Sequence, residues 1–174
     1  MPYYTITYQV AAGVGSITLN RPQAKNAINA QLAREMADVC SAINEDPEIR
    51  VVTITGAGEA FSVGTDWSDV AETSAKGDTP LPWPEVATTV SRLHCPVIAA
   101  INGDALGQGL ELALACDIRI AVDKARFALP QIASGLMPWD GATQRLLRLV
   151  GITKAMEMTL TGEIIDAREA HRIG

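Results

Sequence analysis

The stretch Val97-Ile-Ala-Ala-Ile-Asn-Gly-Asp-Ala-Leu-Gly-Gln-Gly-Leu-Glu111 carries an apolar run into a glycine-rich loop and then into small residues. Val97 to Ile101 reads as a buried strand, because a short β-branched run bounded by turn residues suits a sheet interior. It breaks at Asn102-Gly103, and a small-residue helix follows from about Gly107 to Ala115. Glycine at such a junction lets the chain turn sharply and lets a ligand approach its N–H groups. The first turn of a helix adds unpaired N–H groups and a partial positive charge. The junction can therefore hold an oxyanion. Phe61-Ser-Val-Gly-Thr-Asp-Trp67 is a second junction of the same kind.

The flanking sequence alternates strands and helices. Thr5 to Val10 and Ser16 to Leu19 are β-rich runs separated by Ala-Ala-Gly-Val-Gly, a hairpin signature. A polar loop, Asn20 to Ala27, leads to Asn29, an N-cap for a helix whose buried face is Leu32, Met36, Val39, Cys40 and Ile43. That helix stops before Pro47. Arg50 to Thr55 reads as a strand covered on both faces and ends at Gly56. A short helix is expected from Trp67 to about Lys76, and Gly77 to Pro84, with three prolines, reads as a mobile or inserted segment. Helices are expected over Glu85 to Leu93, Ala142 to Val150 and Lys154 to Leu160, and strands over Ile118 to Val122 and Ala125 to Phe127. This order predicts a single α/β domain of stacked strand, strand, helix turns.

Composition narrows the function. With 174 residues, 48% of them hydrophobic and 20% charged, the chain has the makeup of one folded domain. A net charge of −6 argues against nucleic acid, whose binding rests on clustered Lys and Arg. Cys40, Cys95 and Cys116 form neither a disulfide framework nor a zinc pattern and suit a reducing compartment. No apolar stretch approaches the roughly 20 residues that span a bilayer. The start, MPYYTITYQV, lacks a signal-peptide pattern. The expectation is a cytoplasmic protein with no membrane partner. Gly56-Ala-Gly58 and Gly107-Gln-Gly109 do not complete a dinucleotide fingerprint, since no GxGxxG is followed by an acidic residue on the next strand. His94 and His171 read as ordinary hydrogen-bonded histidines.

Several short motifs then occur in one order: Leu19-Asn-Arg-Pro22, Thr55-Gly-Ala-Gly58, Phe61 to Asp66, Asn102-Gly103, Gly107 to Glu111, Cys116-Asp117 and Thr143-Gln-Arg-Leu146. Across nearly the whole chain this pattern resembles the crotonase (enoyl-CoA hydratase/isomerase) family. The resemblance implies a spiral of ββα turns and an acyl-coenzyme A thioester as substrate, with coenzyme A part of that substrate and no separate cofactor or metal. It implies that the backbone amides of Thr65 and Gln108 polarise the thioester carbonyl, so their side chains can vary. Gly64, Gly107 and Gly109 shape that hole. Glu111 matches the first of two catalytic glutamates; the second would follow Pro130, where this chain has Gln131. Gln is neither a general acid nor a general base, which sets ordinary two-glutamate hydration against the sequence.

Asp140, in Met137-Pro-Trp-Asp-Gly141, is the candidate substitute acid or base; the alternative is a turn residue or a cap on the helix before Ala142. For Glu111 the alternative is a helix-start glutamate favoured by the dipole. By the same resemblance, coenzyme A lies along the loop from Gln23 to Asn26, with Gln23, Ala24 and Lys25 as contacts, and along Thr65, Asp66, Trp67 and Ser68, with Lys25 as a phosphate partner. Trp67, Trp83 and Trp139 are candidates to line an acyl pocket or simply to pack. Hydration ranks first among reactions, then isomerisation or hydrolysis of a coenzyme A ester, with a non-catalytic acyl-CoA-binding subunit as the competing class. The sequence ends at Ala170-His-Arg-Ile-Gly174, where resembled proteins continue through a helical segment that builds trimers. The expectation is that this segment is absent or truncated, and that a full-length form assembles as a trimer or dimer of trimers.

Overall fold

A computed structural model describes residues 3–75 and 85–174. The expected Pro-rich segment from Gly77 to Pro84, and Trp83 within it, lie outside the described residues. The first sheet contains β1 (Ile6–Ala11), β2 (Val14–Leu19), β3 (Val51–Gly56), β4 (Val97–Ile101) and β6 (Ile118–Ala121), in the order β1-β2-β3-β4-β6. β1 and β2 are antiparallel, and the remaining pairs are parallel. Ala12 and Gly13 close the opening hairpin with φ of 51° and 79°, the left-handed geometry that matches strand twist in a two-residue turn. A second sheet joins β5 (Ala105–Leu106), β7 (Arg126–Ala128) and β8 (Ile165–Asp166).

Helices α1 (Ala30–Glu45), α2 (Trp67–Ala75), α3 (Val86–Val90), α4 (Gln108–Ala115), α5 (Ala142–Val150), α6 (Ile152–Thr161) and α7 (Ala167–Ile173) complete the described elements. α1 begins where Asn29 accepts the Leu32 amide at 2.9 Å, and it buries the expected Leu32, Met36, Val39, Cys40 and Ile43. Packing runs from α1 to α3, from α3 to α4, and on through α5 to α6. The core lies between these helices and the alternate residues Ile17, Leu19, Val52, Ile54, Val97, Ala99 and Ile101.

Two expectations are corrected. β3 is not covered on both faces: Val52 and Ile54 are buried, whereas Val51, Thr53 and Thr55 are half-buried. β4 likewise buries Val97, Ala99 and Ile101 and exposes Ala100. β-branched threonine on the outer face satisfies its hydroxyl locally, as Thr55 Oγ1 donates to Ala100 C=O at 2.8 Å, so the run looks more apolar than its environment. The elements β5, β8 and α7 were not foreseen. Two-residue strands carry no periodicity, and their pairing is fixed by long-range contact.

Glu35 ties the N-terminus to α1. Its carboxylate accepts from Thr5 N–H at 2.8 Å, Thr5 Oγ1–H at 2.7 Å, and the Tyr4 and Ile6 amides at 3.0 and 3.2 Å. The three cysteines are free and buried. Among the described residues no helix is long and apolar enough to cross a membrane.

Candidate active site

Three loops meet at the start of α4. Asn26, at φ 57°, donates from Nδ2 to the carbonyls of Ala57 and Ala60, and accepts the Arg21 amide. Asn102 accepts the Gly56 amide at 3.1 Å and donates to Gly58 C=O at 3.0 Å. Ser62 Oγ donates to Asn26 C=O at 2.8 Å and accepts the Gly64 amide. Fixed polar side chains therefore hold the two glycine junctions side by side, as buried polar groups must be paired.

The junctions touch at Gly64, whose φ is 90°. A Cβ there would lie 2.7 Å from Leu106 C=O and 3.0 Å from Gln108 N. A Cβ on Gly109 would collide with the Ser62 carbonyl. Ile28 N–H donates to Gly64 C=O at 2.7 Å, and Asp66 N–H to Ile28 C=O at 2.9 Å. That parallel bridge uses the groups on either side of Thr65, so the N–H of Thr65 points away from Ile28. Thr65 Oγ1 donates to Gln108 Oε1 at 3.3 Å. Gly107 precedes α4 with φ 53° and ψ −124°, and no side chain caps the helix.

Glu111 stands in the first turn of α4 with no exposed surface. Its Oε1 accepts the Asp140 amide at 2.8 Å and the Ala142 amide at 3.1 Å, and its Oε2 accepts Gln131 Nε2–H at 3.2 Å. Desolvation pushes its pKa up to about 7; the charge of nearby Asp140 adds to this, and the backbone donors oppose it. A carboxyl titrating near neutrality can both take and return a proton. The alternative of a surface glutamate at a helix start is excluded by its burial.

Asp140, the candidate acid or base, does not take its alternative role as a side-chain cap on the helix before Ala142. Gly141 precedes α5, and the Asp140 carboxylate crosses to α3. There it accepts the Ala87 amide at 2.7 Å and the Thr88 amide at 2.8 Å, and it also accepts Gln108 Nε2–H at 3.1 Å. Three donors already occupy it. Asp66 is similarly engaged: it pairs with Arg21 at 2.8 Å and accepts the Ser68 amide at the start of α2. Burial raises its pKa, and the Arg21 and backbone hydrogen bonds more than offset this, leaving it lowered.

The remaining candidates lie around this centre. Gln23, Ala24 and Lys25 form the end of a 3-10 turn, with Gln23 and Lys25 exposed, and Lys25 C=O accepts the Val63 amide at 3.2 Å. Trp67 and Trp139 meet edge to face with ring centroids 6.4 Å apart, and Trp67 is 45% exposed. Ser68 is exposed beside it. Arg21, Asn26 and Asn102 belong to motifs and loops legible in the sequence, but their role in holding the loops together comes from contacts distant along the chain. A cavity of about 810 Å³ lies elsewhere, between Leu110, Leu114, Phe127, Leu146 and Met158, and Glu111 is not among its lining residues. The buried carboxylate is the better guide to chemistry. Among the described residues no cluster of three or more His, Cys, Asp or Glu side chains is set to hold a metal.

Comparison with known proteins identifies the family. The family model described as enoyl-CoA hydratase/isomerase matches residues 9–174. A short-chain-enoyl-CoA hydratase of Clostridium acetobutylicum is 44% identical over 164 residues, 92% of this chain and 63% of the relative. A crotonyl-CoA hydratase of Syntrophomonas wolfei is 38% identical over 183 residues, all of this chain and 68% of the relative. The crystal structure of an enoyl-CoA hydratase from Bacillus anthracis superposes with a TM-score of 0.86 at 37% identity, covering 98% of this chain and 68% of that one. The fold is that of the crotonases, and with the motif order, the paired glycine junctions and these relatives in agreement, the chain belongs to the enoyl-CoA hydratase/isomerase family.

Proposed function

We propose that this protein is an acyl-CoA thioester enzyme of hydratase type, in which the amides of Thr65 and Gln108 polarise the thioester carbonyl and Glu111 moves the proton. The observation that carries the reading is Glu111: fully buried, with a pKa of about 7, in the first turn of the helix whose N-terminus meets the Thr65 loop. The names of the relatives, short-chain-enoyl-CoA and crotonyl-CoA hydratases, support the substrate class.

The chemistry closes with one carboxylate. Ionised Glu111 takes a proton from water as the water oxygen bonds to the β carbon of the enoyl chain. The double-bond electrons move toward the thioester oxygen, where two preorganised donors each contribute about 100- to 1000-fold in rate. Protonated Glu111 then returns the proton to the α carbon. Asp140, with its three donors, acts as a positioning residue through its amide rather than as a second acid. Coenzyme A runs past Lys25 and the segment from Thr65 to Ser68, and the Trp67 and Trp139 pair borders the acyl chain. Exposed Ile118, Ile120, Ile152 and Met156 support assembly into a homo-oligomer.

Gln131 favours a second reading, an isomerase. A single carboxylate flanked by an amide suffices to carry a proton between two carbons of the acyl chain. Purified protein assayed against enoyl-, dienoyl- and β-oxoacyl-CoA thioesters, following conjugated-thioester absorbance and free thiol, separates these reactions. Loss of absorbance on enoyl-CoA with water uptake is the expected result. Binding without turnover on the whole panel would make the protein an acyl-CoA binder.

A further inference from the structure

Polarising a carbonyl asks only for the backbone amide of Gln108, yet its side chain is also held. Gln108 is the first residue of α4 and is 1% exposed. Its Oε1 accepts the Thr65 hydroxyl at 3.3 Å, and its Nε2–H donates to Asp140 Oδ2 at 3.1 Å. The Asp140 carboxylate also receives the Ala87 and Thr88 amides and acts only as an acceptor. Turning the carboxamide over would set Oε1 against that carboxylate, so its orientation is dictated at the Asp140 end.

Asp140 in turn bridges two side chains of a single helical turn. Its carboxylate takes Gln108, and its backbone N–H donates to Glu111 Oε1 at 2.8 Å. Its other carboxylate donors, Ala87 and Thr88, belong to α3, and Arg145 of α5 holds its carbonyl at 2.8 Å. Among these contacts Gln108 is the one that fastens the Asp140 side chain to α4, the helix that carries Glu111.

We propose that Gln108 is, through its side chain, a positioning residue: its carboxamide holds Asp140 in register with α4, so that the Asp140 amide fixes the Glu111 carboxyl relative to the thioester carbonyl. This rests on the reading of Glu111 as the proton carrier of an acyl-CoA enzyme. A backbone-only role would leave position 108 open to any side chain that fits. A carboxamide buried between a hydroxyl and a carboxylate is instead specified by its acceptor and its donor, since each buried polar end needs a partner. Misplacing reacting groups by about 1 Å costs on the order of 100-fold in rate, so a loose Asp140 amide would act on turnover more than on binding.

Steady-state turnover of crotonyl-CoA and calorimetric titration with butyryl-CoA, both on the full chain, test this. Gln108→Met keeps the backbone amide and the length of the side chain but removes both polar ends. Its kcat should fall about 10- to 100-fold, the range for a hydrogen bond to a charged group, while its affinity for butyryl-CoA stays close to that of wild type. Asp140→Ala should show the same split. The double variant should lose little more than the worse single variant, because both substitutions break one path. Should Asp140→Ala fail to fold, Glu111→Gln takes its place in the cycle, and Gln108→Met should then cost nothing further. A wild-type kcat in Gln108→Met, a fall in butyryl-CoA affinity that accounts for the lost turnover, or losses that multiply in the double variant would overturn the inference alone. Absence of crotonyl-CoA turnover in wild type would overturn the functional reading and the inference with it.

Discussion

The Asp140 amide donates to Glu111 Oε1 at 2.8 Å while the Asp140 carboxylate turns away and takes the amides of Ala87 and Thr88 at 2.7 and 2.8 Å. One residue thus connects the buried Glu111 carboxyl to the start of α3. Asp140→Asn presents an NH₂ group where two N–H donors converge. It should lower stability by about 1–3 kcal/mol, the range for an unsatisfied buried group, and reduce kcat by less than Glu111→Gln does. Chemical unfolding and steady-state kinetics on the two variants check this; a larger kcat loss in Asp140→Asn would make its carboxylate a proton donor.

Glu111→Gln removes the titrating group but keeps its size. Turnover should fall about 10² to 10⁴-fold, the usual range for a general acid or base, with thioester affinity close to that of wild type. The wild-type rate should rise with pH through about 7 as the base form appears. Because folding raises this pKa, the folded state holds more protons than the unfolded state between about 4.5 and 7. The stability contributed is present in acid and lost as pH rises through 7. Unfolding midpoints at pH 5 and 8 should therefore converge in Glu111→Gln relative to wild type.

Thr65 and Gly64 separate backbone from side-chain roles. Thr65→Ala deletes the hydroxyl bonded to Gln108 and should leave turnover within a few-fold of wild type. Gly64→Ala forces a Cβ onto φ 90° and against Leu106 C=O, and should abolish turnover or folding. A folded Thr65→Ala protein that loses several orders of magnitude in kcat would assign the role to the hydroxyl.

Glu35 gives the opposite pH signature. Burial raises its pKa, but hydrogen bonds from Thr5, Tyr4 and Gln31 together leave it below 4.5. Its stabilisation is present above the unfolded pKa and is lost as pH falls through the lower folded value. Thermal melts from pH 6 down to 3 should show an acid loss that is smaller in Glu35→Gln. That variant should already be less stable than wild type at pH 6.

Lys25 is exposed, and its charge helps hold the Asp104 carboxyl below its ordinary range, behind the larger effect of the Arg126 hydrogen bond. Lys25→Glu should weaken coenzyme A binding more at low salt than at high salt, since screening weakens exposed charge interactions. Titration at two ionic strengths reads this directly. Equal weakening at both would remove Lys25 from the phosphate site.

Local sequence determined the elements whose signals are short-range. Asn29 with its helical stripe specified α1, the Gly-flanked apolar run specified β4 and α4, and the order of motifs specified the family. Gly64, Gly107 and Gly109 were legible because a left-handed or crowded backbone admits little else. Tertiary structure decided whatever depends on partners distant along the chain. Asp140 reaches back 52 and 53 residues to α3, Glu35 reaches 30 to Thr5 just before the first strand, and Gln131 meets Glu111 across 20. A carboxylate or an amide has the same local preferences whether it caps, clamps or catalyses. Only burial and the donors brought to it by packing distinguish those roles, which is why Asp140 became a tie to α3 and Glu111 the group that titrates near neutrality.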